Sequence, residues 1–446
     1  MPIYNMQMKK YVGVIQAGGR GTRVAVLTND KFPKALLPLN GKPIILRQIE
    51  ELAENGIREI VIIIGHLGNQ IQEYLGSGTR FGVNIQYIVE DCPAGTGGSL
   101  PSLRLLYRDA DFIVIYGDVL FKIDFSRFLA FHESKASEVT LFVHPNTHPF
   151  DSDLVVLDPS GSVFGLDVKK GERDFWYSNL VNSGIFILSQ HFIAKLPMLE
   201  KAGLEEDLIA PILSEGRVYG YKSPEYVKDL GTEERFLRVS LDLENGLPDV
   251  KCLTNRQRCV FFDRDGTINV YKGLLAEEDR LELEPTAAEA IKRVNQAGLL
   301  VIVVTNQPVV ARGLCGIDDV VQFNKKLETL LGRQGAYLDD LVFCPHHPDA
   351  GFKGENRRYK VLCDCRKPKT GMIRQMEGQY HIDLSASFMV GDSTTDIQTG
   401  INAGLKTILV RTGQGGNDGK YAVQPDHTAE DILDAVKYIL KSEEPT

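Results

Sequence analysis

Two carboxylates one residue apart stand at the end of an apolar run: Cys259-Val260-Phe261-Phe262-Asp263-Arg264-Asp265-Gly266-Thr267. Extended backbone alternates its side chains, so Asp263 and Asp265 point the same way. Two like charges so close are costly unless a cation lies between them. The run before them has no polar alternation, which suits a strand buried on both faces of a parallel sheet. The carboxyl end of such a strand is where open α/β sheets place their sites. Three later stretches repeat the theme. Residues 299–304 are apolar and lead to Thr305-Asn306, Arg366-Lys367-Pro368 precedes a helix, and Phe388-Met389-Val390-Gly391 leads to Asp392, with Asp396 a helical turn beyond. One sheet can therefore present Asp263, Asp265, Thr305, Lys367 and Asp392 along a single edge.

A second constellation is Cys344-Pro345-His346-His347 followed by Cys363-Asp364-Cys365. The C-x-H…C-x-C spacing supplies four soft and borderline ligands suited to tetrahedral zinc. His346 fits the spacing and His347 is the reserve. The chain has seven cysteines, an odd number, and three of them fall in this cluster, which favours metal over disulfides. A structural zinc just before Arg366-Lys367 would fix the loop that delivers them.

The front of the chain has its own chemistry. An apolar strand, Tyr11-Val12-Gly13-Val14-Ile15, runs into Gln16-Ala17-Gly18-Gly19-Arg20-Gly21-Thr22-Arg23. Glycines here let backbone N–H groups approach a ligand that a Cβ would keep away. Neither the Walker nor the Rossmann spacing is present. Arg23 and Lys34 add positive charge. A strand over residues 84–89 leads to Glu90 and to Gly95-Thr96-Gly97-Gly98, which opens a helix predicted over 99–107. A strand over 112–116 ends in Gly117-Asp118. The two loops, both cations and Asp118 can converge on one crevice.

These elements exceed one core. At 446 residues the default is two domains. Residues 1–241 form the first, 242–257 a linker without clear periodicity, and 258–446 the second, where βα alternation restarts. Both are α/β. Composition is ordinarily globular, at 43% hydrophobic and 24% charged. The net charge of −9 suggests no surface for nucleic acid or an anionic membrane. No run reaches the ~18 apolar residues of a spanning helix. The first ten residues lack the apolar core of a secretory signal, so a cytoplasmic location is expected. Nothing in these patterns bears on oligomeric state.

In combination, A-G-G-x-G-T-R…P-K, E-x(4)-G-T-G-G and Y-G-D resemble the sugar-1-phosphate nucleotidyltransferases, across residues 11–240. The resemblance implies a Rossmann-like, GT-A-like domain. In it Ala17, Gly18, Gly19, Gly21, Thr22, Arg23 and Gly97 would hold a nucleoside triphosphate, with Lys34 on its phosphates. Asp118 and Asp229 would bind magnesium, and Asn182 would lie on the sugar-site strand. Where the family has Phe-x-Glu-Lys-Pro, this chain reads Phe164-Gly165-Leu166-Asp167-Val168-Lys169-Lys170. Lys169 or Lys170 would meet the sugar phosphate.

Over residues 258–440, D-x-D-G-T, the strand-end Thr-Asn, the lysine and G-D-x-x-x-D resemble the haloacid-dehalogenase-type phosphatases. Asp263 would then form an aspartyl-phosphate, and Asp265 would act as acid and then base. Thr305, Asn306, Arg366 and Lys367 would complete the site. Magnesium would bridge Asp263, the Asp265 carbonyl and Asp392. The zinc loop, with Asn306-Gln307 and Ala311-Arg312-Gly313, is similar to the heptose 1,7-bisphosphate 7-phosphatases and their histidinol-phosphatase relatives. Arg312 is the implied sugar-phosphate contact, although Pro308 stands where that family has Ser-Gly.

The fusion narrows both halves. A phosphatase that spares an anomeric phosphate makes the substrate that the transferase consumes. The expected substrates are D-glycero-α-D-manno-heptose 1,7-bisphosphate, heptose 1-phosphate and GTP, the base resting on resemblance alone. Two alternatives stand beside this: a histidinol-phosphatase-like C-terminal half joined to a different sugar nucleotidyltransferase, or an N-terminal half that only senses nucleotide.

Overall fold

The computed structural model describes residues 10–19, 31–168 and 171–442. They divide into two compact units. The first comprises residues 1–144, 153–168 and 182–252, and the second 145–152, 169–181 and 253–446.

The first unit is built on a nine-stranded mixed sheet. Its strands include β1 (Lys10–Ala17), β2 (Glu59–Ile64), β3 (Asn84–Val89) and β4 (Ala110–Tyr116). These four are parallel, in the order β4-β1-β2-β3. Between β1 and β2 lies helix α1 (Ile44–Glu54). Its Ile45, Ile49 and Leu52, at helical spacing, enter the same core as Ile15, Ile60 and Ile62. Beyond β4 come β5 (Val119–Lys122), β6 (Val139–His144), β7 (Leu154–Leu157), β8 (Val163–Asp167), β9 (Val181–Leu188), β10 (Val218–Lys222) and β11 (Tyr226–Asp229). β9 runs antiparallel to β4, which ends the parallel run. β5 and β11 form a separate antiparallel ribbon with Asp229 opposite Val119, and Leu230 N donates to the Asp118 carbonyl at 2.8 Å. That ribbon carries Asp229 up beside Asp118.

Two expectations change here. The helix predicted over 99–107 is a 3-10 turn, Leu100–Ser102, followed by a single α turn, Leu103–Leu106. Pro101 removes a backbone donor at its start. The stretch 242–257 is partly helical. It holds the end of α2 (Glu233–Glu244), whose Thr232 hydroxyl accepts from Arg235 N at 3.2 Å, and a short helix, Leu247–Lys251. Gly246, at φ +69, separates the two where an L side chain would be strained.

The second unit has six parallel strands: β12 (Cys259–Phe262), β13 (Leu300–Asn306), β14 (Asp340–Cys344), β15 (Phe388–Gly391), β16 (Lys406–Val410) and β17 (His427–Ala429). Their order is β14-β13-β12-β15-β16-β17. β12 is interior, in register with β13 and β15. Val260 and Phe262 join one apolar cluster, and Cys259 and Phe261 join another. The strand is therefore covered on both faces, as its unbroken apolar run requires. Each large apolar side chain so buried contributes about 2 kcal/mol. Two helices matter for the site: α3 (Ile317–Gly332) and α4 (Thr394–Ala403).

Within this unit α3 also receives segments from the front of the chain. The Thr329 hydroxyl donates to the Tyr177 carbonyl and accepts from Tyr177 N, both at 2.9 Å. Asn179 N donates to Glu328 at 2.8 Å. Trp176 donates its indole N–H to Glu278 and has the Arg333 and Lys326 cations 5.3 and 5.5 Å from its ring centroid. No helix among the described residues is long and apolar enough to cross a membrane.

Trp176 is the sole tryptophan of the chain. Its emission should therefore follow unfolding of the second unit in a urea titration. An emission shift that precedes any loss of secondary structure would contradict this packing.

Candidate functional sites

The carboxyl end of β12 holds the site of the second unit. Asp263 N donates to the Val390 carbonyl at 2.9 Å, which ties the aspartate to the neighbouring strand end. The Lys367 ammonium lies 2.8 Å from Asp263 Oδ1 and 2.5 Å from Asp396 Oδ1. Asp396 also caps α4, accepting from the hydroxyl and N–H of Ser393 at 2.5 and 3.2 Å. The carboxylates of Asp263, Asp392 and Asp396 lie within 4.8 Å of one another. Burial pushes the Asp263 carboxyl above its ordinary range, and the neighbouring Asp396 adds to this while Lys367 partly offsets it. Burial, then Asp263 and Asp396, push Asp392 up as well. Burial pulls the Lys367 ammonium down, but Asp263 and Asp396 outweigh it and raise the group overall.

Two observations fit a cation here. Asp392 Oδ2 accepts from Gln414 N at 2.7 Å, but Asp392 Oδ1 is buried without a partner. A buried acceptor of this kind costs about 1–3 kcal/mol unless something satisfies it. Gly266, at φ +88, comes so close that a Cβ would sit 2.2 Å from Asp392 Oδ2. The glycine of the D-x-D-G-T run is thus required by close approach. Asp396 is already engaged by Lys367 and Ser393, so Asp263 and Asp392 are the better ligands of the three.

Asp265 is held by partners of its own. Asp263 is paired with Lys367, while Asp265 accepts both its oxygens' bonds from Arg264 Nη2, at 3.1 and 3.0 Å. Asn269 and Gln307 also donate to it, at 3.0 and 2.7 Å. Arg264 is fully buried and donates from Nη1 to Asn324 of α3 at 3.0 Å, while its Nε has no partner. Arg264 and Gln307 went unassigned in the sequence, although both lie inside the quoted motifs. Gln307 also donates to the Thr305 hydroxyl at 3.0 Å. Asn306 and Lys367 are bonded reciprocally: Asn306 Nδ2 to the Lys367 carbonyl at 3.1 Å, and Lys367 N to Asn306 Oδ1 at 3.0 Å. Asp263, Asp265, Thr305, Asn306, Arg366 and Lys367 all line one cavity of about 150 Å³. Arg312 is not on its wall. Its guanidinium lies 4.5 Å from the Phe352 ring centroid, drawn by the aromatic face.

The Cys/His cluster is assembled. Cys344, His346, Cys363 and Cys365 bring their ligand atoms within 4.8 Å of one another. The sulfur separations are 3.6, 3.2 and 3.3 Å. A disulfide would need about 2.05 Å. His346 Nδ1 is 3.6 and 3.3 Å from Cys344 and Cys365. His347 is outside the cluster, so the structure chooses His346. Arg366 Nη1 donates to the His346 carbonyl at 3.0 Å, a direct link from the cluster to the cavity.

In the first unit a cavity of about 470 Å³ is lined by Gln16, Ala17, Gly18, Gly19, Lys34 and Asp118, among others. Lys34 Nζ lies 2.8 Å from Asp118 Oδ2. Asp229 accepts from Arg235 Nη1 at 2.7 Å and Gly231 N at 3.0 Å. Gly21, Thr22, Arg23 and Lys169 lie outside the described residues. Gly97 differs from expectation. Gly95 and Thr96 line the cavity, whereas a Cβ on Gly97 would meet Leu208 at 2.7 Å. Gly97 therefore serves close packing. Asn182 donates to Glu205 at 2.8 Å, as does the Tyr116 hydroxyl at 2.6 Å. Burial pushes the Glu205 carboxyl above its ordinary range, and the hydrogen bonds from Tyr116 and Asn182 only partly offset it. Glu90 on the cavity wall accepts from the Ser99 hydroxyl at 2.5 Å. Its place in E-x(4)-G-T-G-G was the available signal.

Residues 12–246 match the nucleotidyl transferase family model, and residues 364–435 match a HAD-hydrolase-like model. Fold and sites thus define a nucleotidyltransferase joined to a HAD-type phosphatase, a bifunctional enzyme. The chain is 38% identical over 185 residues, 41% of its length, to D-glycero-beta-D-manno-heptose-1,7-bisphosphate 7-phosphatase of Pasteurella multocida, covering 97% of that protein. It belongs to the nucleotidyl transferase family in its front half and to this heptose-bisphosphate phosphatase family in its back half. It is also 29% identical over 236 residues, 52% of its length, to mannose-1-phosphate guanylyltransferase of Mycobacterium tuberculosis, spanning 65% of that protein. Among solved structures it is similar to HddC from Yersinia pseudotuberculosis complexed with GMP-PN, with 24% identity, a TM-score of 0.46, and 52% of this chain and 99% of that one covered.

Arg264→Met removes the buried cation between Asp265 and Asn324. A loss of about 3 kcal/mol is expected, read as a lower urea midpoint for the second unit. An unmoved midpoint would show that Arg264 contributes nothing there.

Proposed function

We propose that the chain converts D-glycero-α-D-manno-heptose 1,7-bisphosphate to GDP-heptose in two steps. The C-terminal unit removes the 7-phosphate. The N-terminal unit then transfers GMP from GTP to the heptose 1-phosphate. The observation that carries this reading is the joining, in one chain, of a site with the heptose-bisphosphate phosphatase constellation to a nucleotidyltransferase cavity that needs an anomeric phosphate.

In the first step an Asp263 oxygen bonds to phosphorus as the bond from phosphorus to the sugar oxygen breaks. Asp265 protonates that oxygen, then takes a proton from the water that releases phosphate and regenerates Asp263. Arg264, Asn269 and Gln307 orient Asp265. Lys367 and Thr305 hold phosphate oxygens, and Asn306 holds Lys367 in place. Magnesium, on Asp263, Asp392 and the Asp265 carbonyl, would neutralise charge on the phosphate and the carboxylates.

In the second step a phosphate oxygen of the sugar bonds to the α-phosphorus of GTP and pyrophosphate leaves. No covalent nucleophile is needed, only positioning and cations. Arg23 and Lys34 serve the triphosphate, and Asp118 and Asp229 would hold a second magnesium. Lys34 would exchange Asp118 for phosphate on binding. Asn182 faces the sugar, with Lys169 or Lys170 on its phosphate. Glu90 supports the choice of GTP. A carboxylate fixed on the cavity wall accepts from the adjacent N–H and NH₂ of guanine, for which adenine has no match. The Cys344, His346, Cys363 and Cys365 set suits zinc, since tetrahedral ligands with sulfur at about 2.3 Å and nitrogen at about 2.0 Å would stand roughly 3.5–3.7 Å apart. Zinc would anchor Arg366 and Lys367. The proposed setting is cytoplasmic.

With the bisphosphate and equal GTP and ATP, phosphate and then pyrophosphate should appear, with GDP-heptose the major nucleotide sugar. Phosphate without pyrophosphate sinks the scheme. Asp263→Asn should abolish phosphate release and spare pyrophosphate release from supplied heptose 1-phosphate.

Zinc should be present at one per chain by elemental analysis. Cys363→Ser should lose it together with most phosphatase activity, while nucleotidyl transfer continues. A metal-free wild-type protein with full phosphatase activity would refute the zinc assignment.

A further inference from the structure

The cavity of the second unit is charged unevenly, and one of its cations has no use in the chemistry above. Three basic residues line it: Arg366, Lys367 and Lys420. Lys367 is buried and engaged by Asp263 and Asp396. Arg366 is tethered by the His346 carbonyl. Lys420 is exposed and has no ion-pair or hydrogen-bond partner among the described residues.

Its position is nonetheless built. Lys420 lies in a glycine-rich loop, Thr412-Gly413-Gln414-Gly415-Gly416-Asn417-Asp418-Gly419-Lys420-Tyr421. The loop is tied to the metal-facing strand end, since Gln414 N donates to Asp392 Oδ2 and Gly416 N to the Asp392 carbonyl, at 2.7 and 2.8 Å. It is tied again to the first residue of α4. Thr394 N and its hydroxyl donate to Asp418 at 2.7 and 2.9 Å, and Tyr421 N donates to the Thr394 hydroxyl at 3.1 Å. Lys420 thus stands between two residues that share one anchor. The same bonds engage Asp418, the acid nearest in sequence, and no ion pair joins it to the lysine.

A solvated surface lysine needs none of this bracing. A substrate with a second phosphate does need a cation away from Asp263, because Lys367 is committed to the phosphate being cleaved. We infer that Lys420 binds the phosphate that the phosphatase leaves in place, and so selects sugar bisphosphates over monophosphate esters. This rests on the bisphosphate reading above.

The test compares kcat/KM for the heptose bisphosphate and for phenyl phosphate in the full-length wild type and in Lys420→Ala, Lys420→Arg and Lys420→Glu. One charge-assisted contact to phosphate amounts to roughly tenfold in binding. Lys420→Ala should lower the bisphosphate-to-phenyl phosphate preference by about that factor, through KM for the bisphosphate with kcat held. Lys420→Arg should restore most of it, and Lys420→Glu should lower it further. A wild type without preference for the bisphosphate overturns the substrate reading and this inference together. A wild-type preference that survives in Lys420→Ala overturns the role of Lys420 alone. An equal loss on both esters assigns Lys420 to general loop structure and also refutes the inference.

Discussion

The second unit depends on one buried cation. Lys367 sits among Asp263, Asp392 and Asp396 at the closed end of a parallel sheet, where three carboxylates gather with little water. Without a positive charge such a cluster could not stay ionised. The lysine neutralises part of it, and the remaining unpartnered oxygen, on Asp392, is what leaves room for a metal ion. Lys367 is itself held through its backbone by Asn306 and, through its neighbour Arg366, by the Cys/His cluster. The Cys/His loop, far along the chain, is thereby connected to the lysine at the end of β12.

Asp263 and Asp265 are two residues apart yet live in separate electrostatic settings. Asp263 faces the lysine and the acidic cluster. Asp265 is fastened by Arg264, Asn269 and Gln307. Such a division suits two carboxylates with different tasks. Arg264 is the residue that makes it, and its burial against α3 is affordable only because Asp265 and Asn324 accept its hydrogen bonds.

The first unit uses the same kind of strand ending with a different filling. Glycines and a cavity replace the buried charges, as a site for a large, charged, exchangeable ligand requires. Lys34 rests against Asp118, so its charge stays balanced until an anion displaces that carboxylate.

The strands were legible because their signals are local. The unbroken apolar run at Cys259–Phe262 determined a strand covered on both faces, and the Cys-x-His and Cys-x-Cys spacings marked four residues that the fold gathers. Asp263, Thr305, Lys367 and Asp392 could be grouped because parallel strands deliver their carboxyl ends to one edge. Other features depend on contacts between distant residues. The arginine between the two aspartates carried no sign of its partner on α3, and Gly97 gave no hint that Leu208 would crowd it. Arg312 was drawn to an aromatic ring that only tertiary packing supplies. The grouping of residues 145–152 and 169–181 with the second unit has the same origin. Strand pattern and ligand spacing are set by neighbours along the chain, whereas the partners of Arg264, Gly97, Arg312 and Trp176 exist only once separate elements have packed.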